Sequence, residues 1–167
     1  MSFSANPVLG TVEYVGTDLP IRVVRTQDSD DHTNNDNTLK NDDTLSFPIG
    51  VNQRVIGELV IAYYAHADKD FQNRLVGPTG STLVWGYDGS NNADVEVSNA
   101  GEASNNTVTL TESTSGSDVG FVKLSFIIEN GSTAGTVTYQ WAAANAVDDA
   151  SEKVYVKAGS HIRYQYF

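Results

Sequence analysis

A sandwich of two antiparallel β-sheets is the fold predicted by this 167-residue sequence, on three observations. Short runs rich in β-branched and aromatic residues recur along the chain, separated by clusters of Gly, Asn, Asp and Ser. Several runs alternate between apolar and polar positions, as a strand with one buried face does. No stretch of a dozen residues holds a helical period, and AAANAVDDASEK (142–153) has room for one or two turns at most. The class is therefore all-β: an antiparallel, jelly-roll-like β-sandwich preceded by an extended amino-terminal arm.

Residues 1–20 hold Pro7, Gly10, Gly16 and Pro20 around one short strand at 11–15 (TVEYV), and they read as the arm. Residues 21–167 read as a single sandwich domain. Its first strands are predicted at 21–26 (IRVVRT), 44–49 (TLSFPI) and 54–64 (RVIGELVIAYY). The run 55–64 is apolar on both faces apart from Glu58, which places it centrally in a sheet or at a subunit contact. Strands at 71–76 (FQNRLV) and 81–86 (STLVWG) follow, joined by a turn at Pro78 and Gly80. Residues 88–118 are small and polar, with only Val95, Val97, Val108 and Leu110 as anchors around strands at 94–98 and 107–112. That stretch is expected to be a polar excursion, either a hairpin or a contact surface.

The strand at 119–129 sets Val122, Leu124, Phe126 and Ile128 on one face and Lys123 and Ser125 on the other. In 135–143, Val137, Tyr139 and Trp141 alternate with Thr136, Thr138 and Gln140. After a short strand at 153–157, the last one (161–167) alternates Ile162, Tyr164 and Tyr166 with His161, Arg163 and Gln165. Such two-faced strands are what stacked antiparallel sheets require.

Composition narrows the function. Ten basic against twenty-one acidic residues leave a net charge of -11, which repels phosphate backbones and anionic lipid. Neither a nucleic acid nor a membrane is an expected partner. With no cysteine there is no disulfide framework and no thiolate site. The start MSFSANPVLG lacks the basic residues and long apolar run of a signal peptide, so the usual secretory route is not expected.

The acidic stretch TQDSDDHTNNDNTLKNDD (26–43) is the best metal candidate, with Asp28, Asp30, Asp31 and Asp36 offering oxygens for calcium. Counted from Asp28, however, an EF-hand would need glycine where Thr33 stands and glutamate where Leu39 stands. His32 has no histidine nearby to complete a zinc site. The stretch reads as a solvated connection, and no metal or other cofactor is expected. His32, His66 and His161 are scattered and no nucleophile elbow is present, so an enzyme is not expected either. Trp85 and Tyr87 share a strand face beside a loop and are candidates for stacking on a glycan.

The stretch from Asn37 to Trp85 carries Thr38, Leu39, Asp42 and Leu45 as T-L-x-x-D-x-x-L, then Asn52 in a turn and Tyr63 ending a strand. Asp68 and Asp70 and a Pro78–Gly80 turn follow, and the chain closes with Gly135, Val137, Trp141 and Ala142, then Val156, Gly159, Ser160 and Ile162. This pattern resembles a family of small phage and prophage virion proteins, over about residues 22–87 and 119–167. The resemblance implies a structural component of the virion, of the head-decoration, tail or fibre kind, and brings no catalytic residues. It implies a decoration protein on the outer surface of the head, homo-oligomeric and favouring a trimer, with the major capsid protein as partner. Phe3, Pro7, Val8 and Leu9 of the arm are the expected docking residues. A tail or tail-fibre module using Trp85 and Tyr87 on a host glycan is the alternative; a cellular adhesion or carbohydrate-binding domain is a third reading.

Overall fold

The computed structural model describes residues 20–29, 37–66, 69, 71–90, 96–103, 107–112, 118–144 and 153–167. The arm, with Phe3, Pro7, Val8, Leu9 and the strand expected at 11–15, lies outside the described residues.

Eleven strands are described: β1 (Ile21–Val24), β2 (Lys40–Ile49), β3 (Arg54–Ala65), β4 (Phe71–Val76), β5 (Thr82–Ser90), β6 (Glu96–Ala103), β7 (Thr107–Glu112), β8 (Asp118–Glu129), β9 (Gly135–Ala143), β10 (Val154–Val156) and β11 (His161–Tyr166). The larger sheet runs β1-β11-β3-β8-β5-β6, with β10 also paired to β3, and the smaller runs β2-β9-β4-β7. Every pairing is antiparallel. The molecule is the all-β sandwich that the alternating runs predict, with β3 central in its sheet as its two apolar faces require. Residues 88–118 supply the end of β5 and two further strands, β6 on one border of the larger sheet and β7 on one border of the smaller.

Between the sheets lies one apolar layer. From the larger sheet come Leu59, Ile61, Tyr63, Val122, Leu124 and Ile162, and from the smaller Leu45, Phe47, Phe71, Leu75, Val137 and Tyr139. Aromatic rings bridge the gap: Phe47 stacks on Tyr164 at 4.0 Å between centroids and Phe71 on Tyr63 at 4.2 Å. Each such contact is worth about 0.5–1.5 kcal/mol beyond area burial.

The strand pattern explains why the core closes so tightly around two glycines. Gly57 on β3 stands directly opposite Phe126 on β8, and Gly120 on β8 stands opposite Tyr63 on β3. A Cβ at Gly120 would come within 2.2 Å of the Tyr63 ring, so each aromatic ring lies over the glycine facing it.

One irregularity organises the edge of the smaller sheet. Asn41 pairs with Gln140 and Ser46 with Thr138, so five residue steps on β2 face two on β9. The bulge takes the N–H groups of Thr44 and Leu45 out of the ladder, and Asp42 Oδ1 accepts both, at 2.9 and 2.8 Å. Asp42 Oδ2 accepts the indole N–H of Trp141 at 3.2 Å, and Arg25 Nη2 lies 3.1 Å from both carboxylate oxygens. Arg25 follows β1 and is tied to the β10–β11 turn, donating its backbone N–H to Ser160 O and accepting from Gly159 N. The buried carboxylate thus joins an edge of one sheet to an edge of the other.

Other turn and strand-end positions have equally local tasks. Asn52 and Gly80 take positive φ (53° and 85°) in their turns. Gly159 (φ 91°) turns the chain between β10 and β11, and Ser160 Oγ bonds both the N–H and the carbonyl of Ala62 where those strands leave β3 uncovered.

Two outcomes are expected. Asp42→Ala strands the Arg25 charge among buried groups and should lower unfolding free energy by about 3–5 kcal/mol in urea titrations. Asp43→Ala removes only the partner of Arg25 whose side chain is 79% exposed, and should cost under ~1 kcal/mol.

A further expectation concerns alkali. Burial, with a hydrogen bond to Tyr166, pushes the Tyr164 phenol up to about 12. Burial, with Asp42 and Tyr63 nearby, raises Tyr139 well above the usual phenol range. An unfolded tyrosine ionises near pH ~10, so both groups support the fold below that pH and lose their contribution as pH climbs through the folded values. Denaturation midpoints should fall from about pH 10 upward, and less steeply in Tyr139→Phe. The Tyr139 hydroxyl is buried with no hydrogen-bond partner among the described residues, so the variant should also be no less stable at neutral pH.

Candidate functional site

The two outward faces differ in chemistry. On the smaller sheet, Gln72, Arg74, Thr136, Thr138 and Gln140 point away from the core, and Arg74 donates to Gln140, which in turn donates to Asn41 at 2.6 Å. That surface is polar and internally bonded. On the larger sheet the register sets Ile56, Ile127 and Val84 side by side on β3, β8 and β5, pointing outward and 48%, 36% and 45% exposed. Further along the same face stand Val119 and Phe121, 48% and 54% exposed, beside Tyr64 and Ala62. Tyr64 stacks on Tyr155 of β10 at 5.1 Å. Scattered apolar surface residues are ordinary; contiguous ones on one face mark a contact surface.

A polar belt separates the two apolar areas. Glu58 reaches Lys123 at 3.4 Å, and Asp88 is in register with Lys123 from the other side. Arg22 and Arg163 stand directly opposite each other on β1 and β11, and Arg22 Nη2 lies 3.3 Å from His161 Nδ1. At the far end Arg54 pairs with Glu129 at 2.7 Å. Across these strands basic groups at least match acidic ones, although the whole chain carries -11.

Between the belt and the apolar row lies an open groove of about 600 Å³. Its floor is Gly86 and Ser125, paired across β5 and β8, and its walls include Ile56, Val84, Arg163 and Pro20. A Cβ at Gly86 would meet nothing within 4 Å, so this glycine leaves depth rather than relieving a clash.

The residues singled out for glycan stacking part company here. Trp85 and Tyr87 do share a face, but it is the inward one. Tyr87 is 2% exposed within the core, so its ring offers no surface to a sugar; Trp85 is half-buried, packed against the core at the groove floor. Of the calcium candidates, Asp28 is described: its Oδ1 accepts the Ala158 N–H at 2.7 Å and its Oδ2 lies 3.7 Å from Lys157. Asp30, Asp31, Asp36 and His32 lie outside the described residues, as do Asp68 and Asp70. No group of three or more His, Asp or Glu among the described residues could hold a metal ion. Sequence reasoning missed the outward row because Val84 and Ile127 belong to strands whose opposite faces account for the core. The signal was there in the run LSFII: in β8, Phe121 and Ile127 break the polar face carried by Lys123 and Ser125.

No protein-family model and no curated protein matches the sequence. Among solved structures the chain is similar to a chain of infectious bursal disease virus, Gt strain, at 8% identity and a TM-score of 0.23. The alignment covers 100% of this chain and 46% of that one, so the chain spans less than half of its length.

Glycine substitutions should separate the groove from the core. Gly57→Ala sets a methyl 2.5 Å from the Phe126 ring and 2.6 Å from the Arg163 carbonyl, and should cost about 1–3 kcal/mol by thermal or urea unfolding. Gly86→Ala should stay within ~0.5 kcal/mol of the parent.

Proposed function

We propose that this chain is a structural protein of a bacteriophage virion: a decoration protein that binds the outside of the head and reinforces contacts between major capsid subunits. The reading is carried by the outward face of the larger sheet, where exposed apolar side chains lie in register on adjacent strands while the other outward face is polar. It is supported by the resemblance in residues 22–87 and 119–167, whose described shared positions serve turns, a bulge and a ladder gap.

The mechanism is mass action. A protein that binds only the assembled shell stabilises it by RT ln(1 + [L]/Kd), about 2.7 kcal/mol per site at a hundredfold excess over Kd. Val119 and Phe121 supply the desolvated part of the contact with the major capsid protein, and Phe3, Pro7, Val8 and Leu9 extend it beyond the domain. The protein acts as a homo-oligomer, a trimer that fits three-fold positions of a shell.

Electron cryomicroscopy of intact particles tests this, with density expected on the outer head surface; density confined to the tail would replace it with the fibre reading. Phe121→Asp should leave stability within ~0.5 kcal/mol, because the side chain is on the surface, while cutting incorporation into particles at least ~10-fold.

A further inference from the structure

We propose that in the free protein the outward face of the larger sheet is covered by the same face of a second copy. The two copies are related by a two-fold axis that runs along the strands, above the gap between β3 and β8. The register makes this face close to its own complement. Such an axis keeps each level along the strands and exchanges β3 with β8 and β11 with β5. Ile56 then lies on the second copy's Ile127, Ala62 on its Phe121 and Tyr64 on its Val119, because those residues stand opposite each other across β3 and β8. The exposed ring of Phe121 meets the small Ala62, so a ridge on one copy fits a hollow on the other. Arg163 comes down over Gly86, at the groove floor, where the missing side chain leaves depth.

The charges obey the same operation. Along the polar belt β11 and β8 are basic, through Arg163 and Lys123, while β3 and β5 are acidic, through Glu58 and Asp88. The axis sets the basic strands of one copy over the acidic strands of the other. Lys123 lands beside the second copy's Glu58, and Asp88 lands on its His161 and beside its Arg163. Other axes fail this test. One directly above β3 would lay Glu58 on Glu58, and one above β8 would lay Lys123 on Lys123. One crossing the strands at the level of Lys123 would lay both Lys123 and Asp88 on themselves. Like charges so placed oppose association. On these four strands the belt charges cancel, so chains that each carry -11 meet here on a neutral surface. Twisted sheets pack face to face at about −30°, so the match is closest near the axis, and the long Arg163 side chain absorbs the drift further out.

The area suits an exchangeable pair. Four strands and the length from Ile56 to Tyr64 make a face of roughly 19 by 27 Å. That is about 1,000 Å² counted over both copies, below the ~1,200–2,000 Å² of stable specific interfaces. The pairing goes beyond the decoration role and needs no capsid. Where that role holds, the two contacts exclude each other, since both use Val119 and Phe121. Copies that reach a shell trade the second copy for the capsid, and the three-fold grouping is made there. Until then an apolar face that would otherwise be sticky is hidden.

Sedimentation equilibrium of the full chain should show monomer and dimer, with a Kd on the order of 1–100 μM. Asp88→Arg and Arg163→Asp each bring like charges together twice per dimer, and each should raise Kd at least ~10-fold. Mixed in equal amounts, the two variants form heterodimers in which every one of these contacts is again between opposite charges. The mixture should return to within ~3-fold of the parent Kd. Damage confined to one chain cannot be repaired by mixing, so recovery reads the interface and not the fold. A parent that stays monomeric, an oligomer indifferent to both variants, or a mixture no tighter than its components would overturn the pairing. Absence from the head with the mixing result intact would count against the decoration role alone, and the reverse against the pairing alone.

Discussion

The buried carboxylate of Asp42 is the contact that the two-sheet arrangement depends on. The bulge in β2 sacrifices ladder hydrogen bonds, and Asp42 recovers them by accepting from Thr44 and Leu45. An ionised carboxylate with no exposed side-chain surface is stable only with compensating charge, which Arg25 brings from the other sheet, and with its remaining lone pair engaged by Trp141. Each group in the cluster makes the others tolerable. The aromatic stack of Phe47 on Tyr164 and of Phe71 on Tyr63 can form only if the edges are held at that separation.

The strand order adds a second constraint. Apart from the β5–β6 hairpin, chain neighbours do not pair with each other; the chain passes back and forth between sheets, and β3 finds its partners in β8 and β11 far along the sequence. Non-local pairing of this kind makes folding slow and cooperative. It also leaves β3, at the centre of the larger sheet, with an outward face of Ile56, Val60, Ala62 and Tyr64 that no second layer among the described residues covers. The same strand that contributes Leu59, Ile61 and Tyr63 to the core therefore presents the apolar face on which the functional reading rests.

Much of this was legible in the sequence. The runs 54–64, 119–129, 135–143 and 161–167 declared their inward residues by alternation, and Trp141 fell on the core face as its spacing implied. Tyr87 was not legible: residues 82–88 read equally well with either face inward, and an aromatic beside Trp85 carries the same signal whether it meets a sugar or the opposite sheet. In the polar stretch 88–118 the run 107–112 marked β7, while β6 extends to Ala103, beyond the run at 94–98, because a strand bordering its sheet is held by backbone pairing more than by apolar burial. Arg25 gave no hint of its role, since its partner Asp42 lies 17 positions away, Trp141 reaches that carboxylate from 99 positions away, and nothing local marks the pairing. The outward row on the larger sheet escaped for a related reason: Ile56, Ile127 and Val84 become neighbours only through register.

The border strand β2 has one more effect. Its ladder is broken by the bulge, Pro48 lacks an N–H to offer, and Lys40 begins it with a charge. A strand so marked is a poor template for another molecule's backbone along the side that no described strand pairs. Many copies crowded next to one another would thus stay discrete, and would not zip into fibrils through that margin.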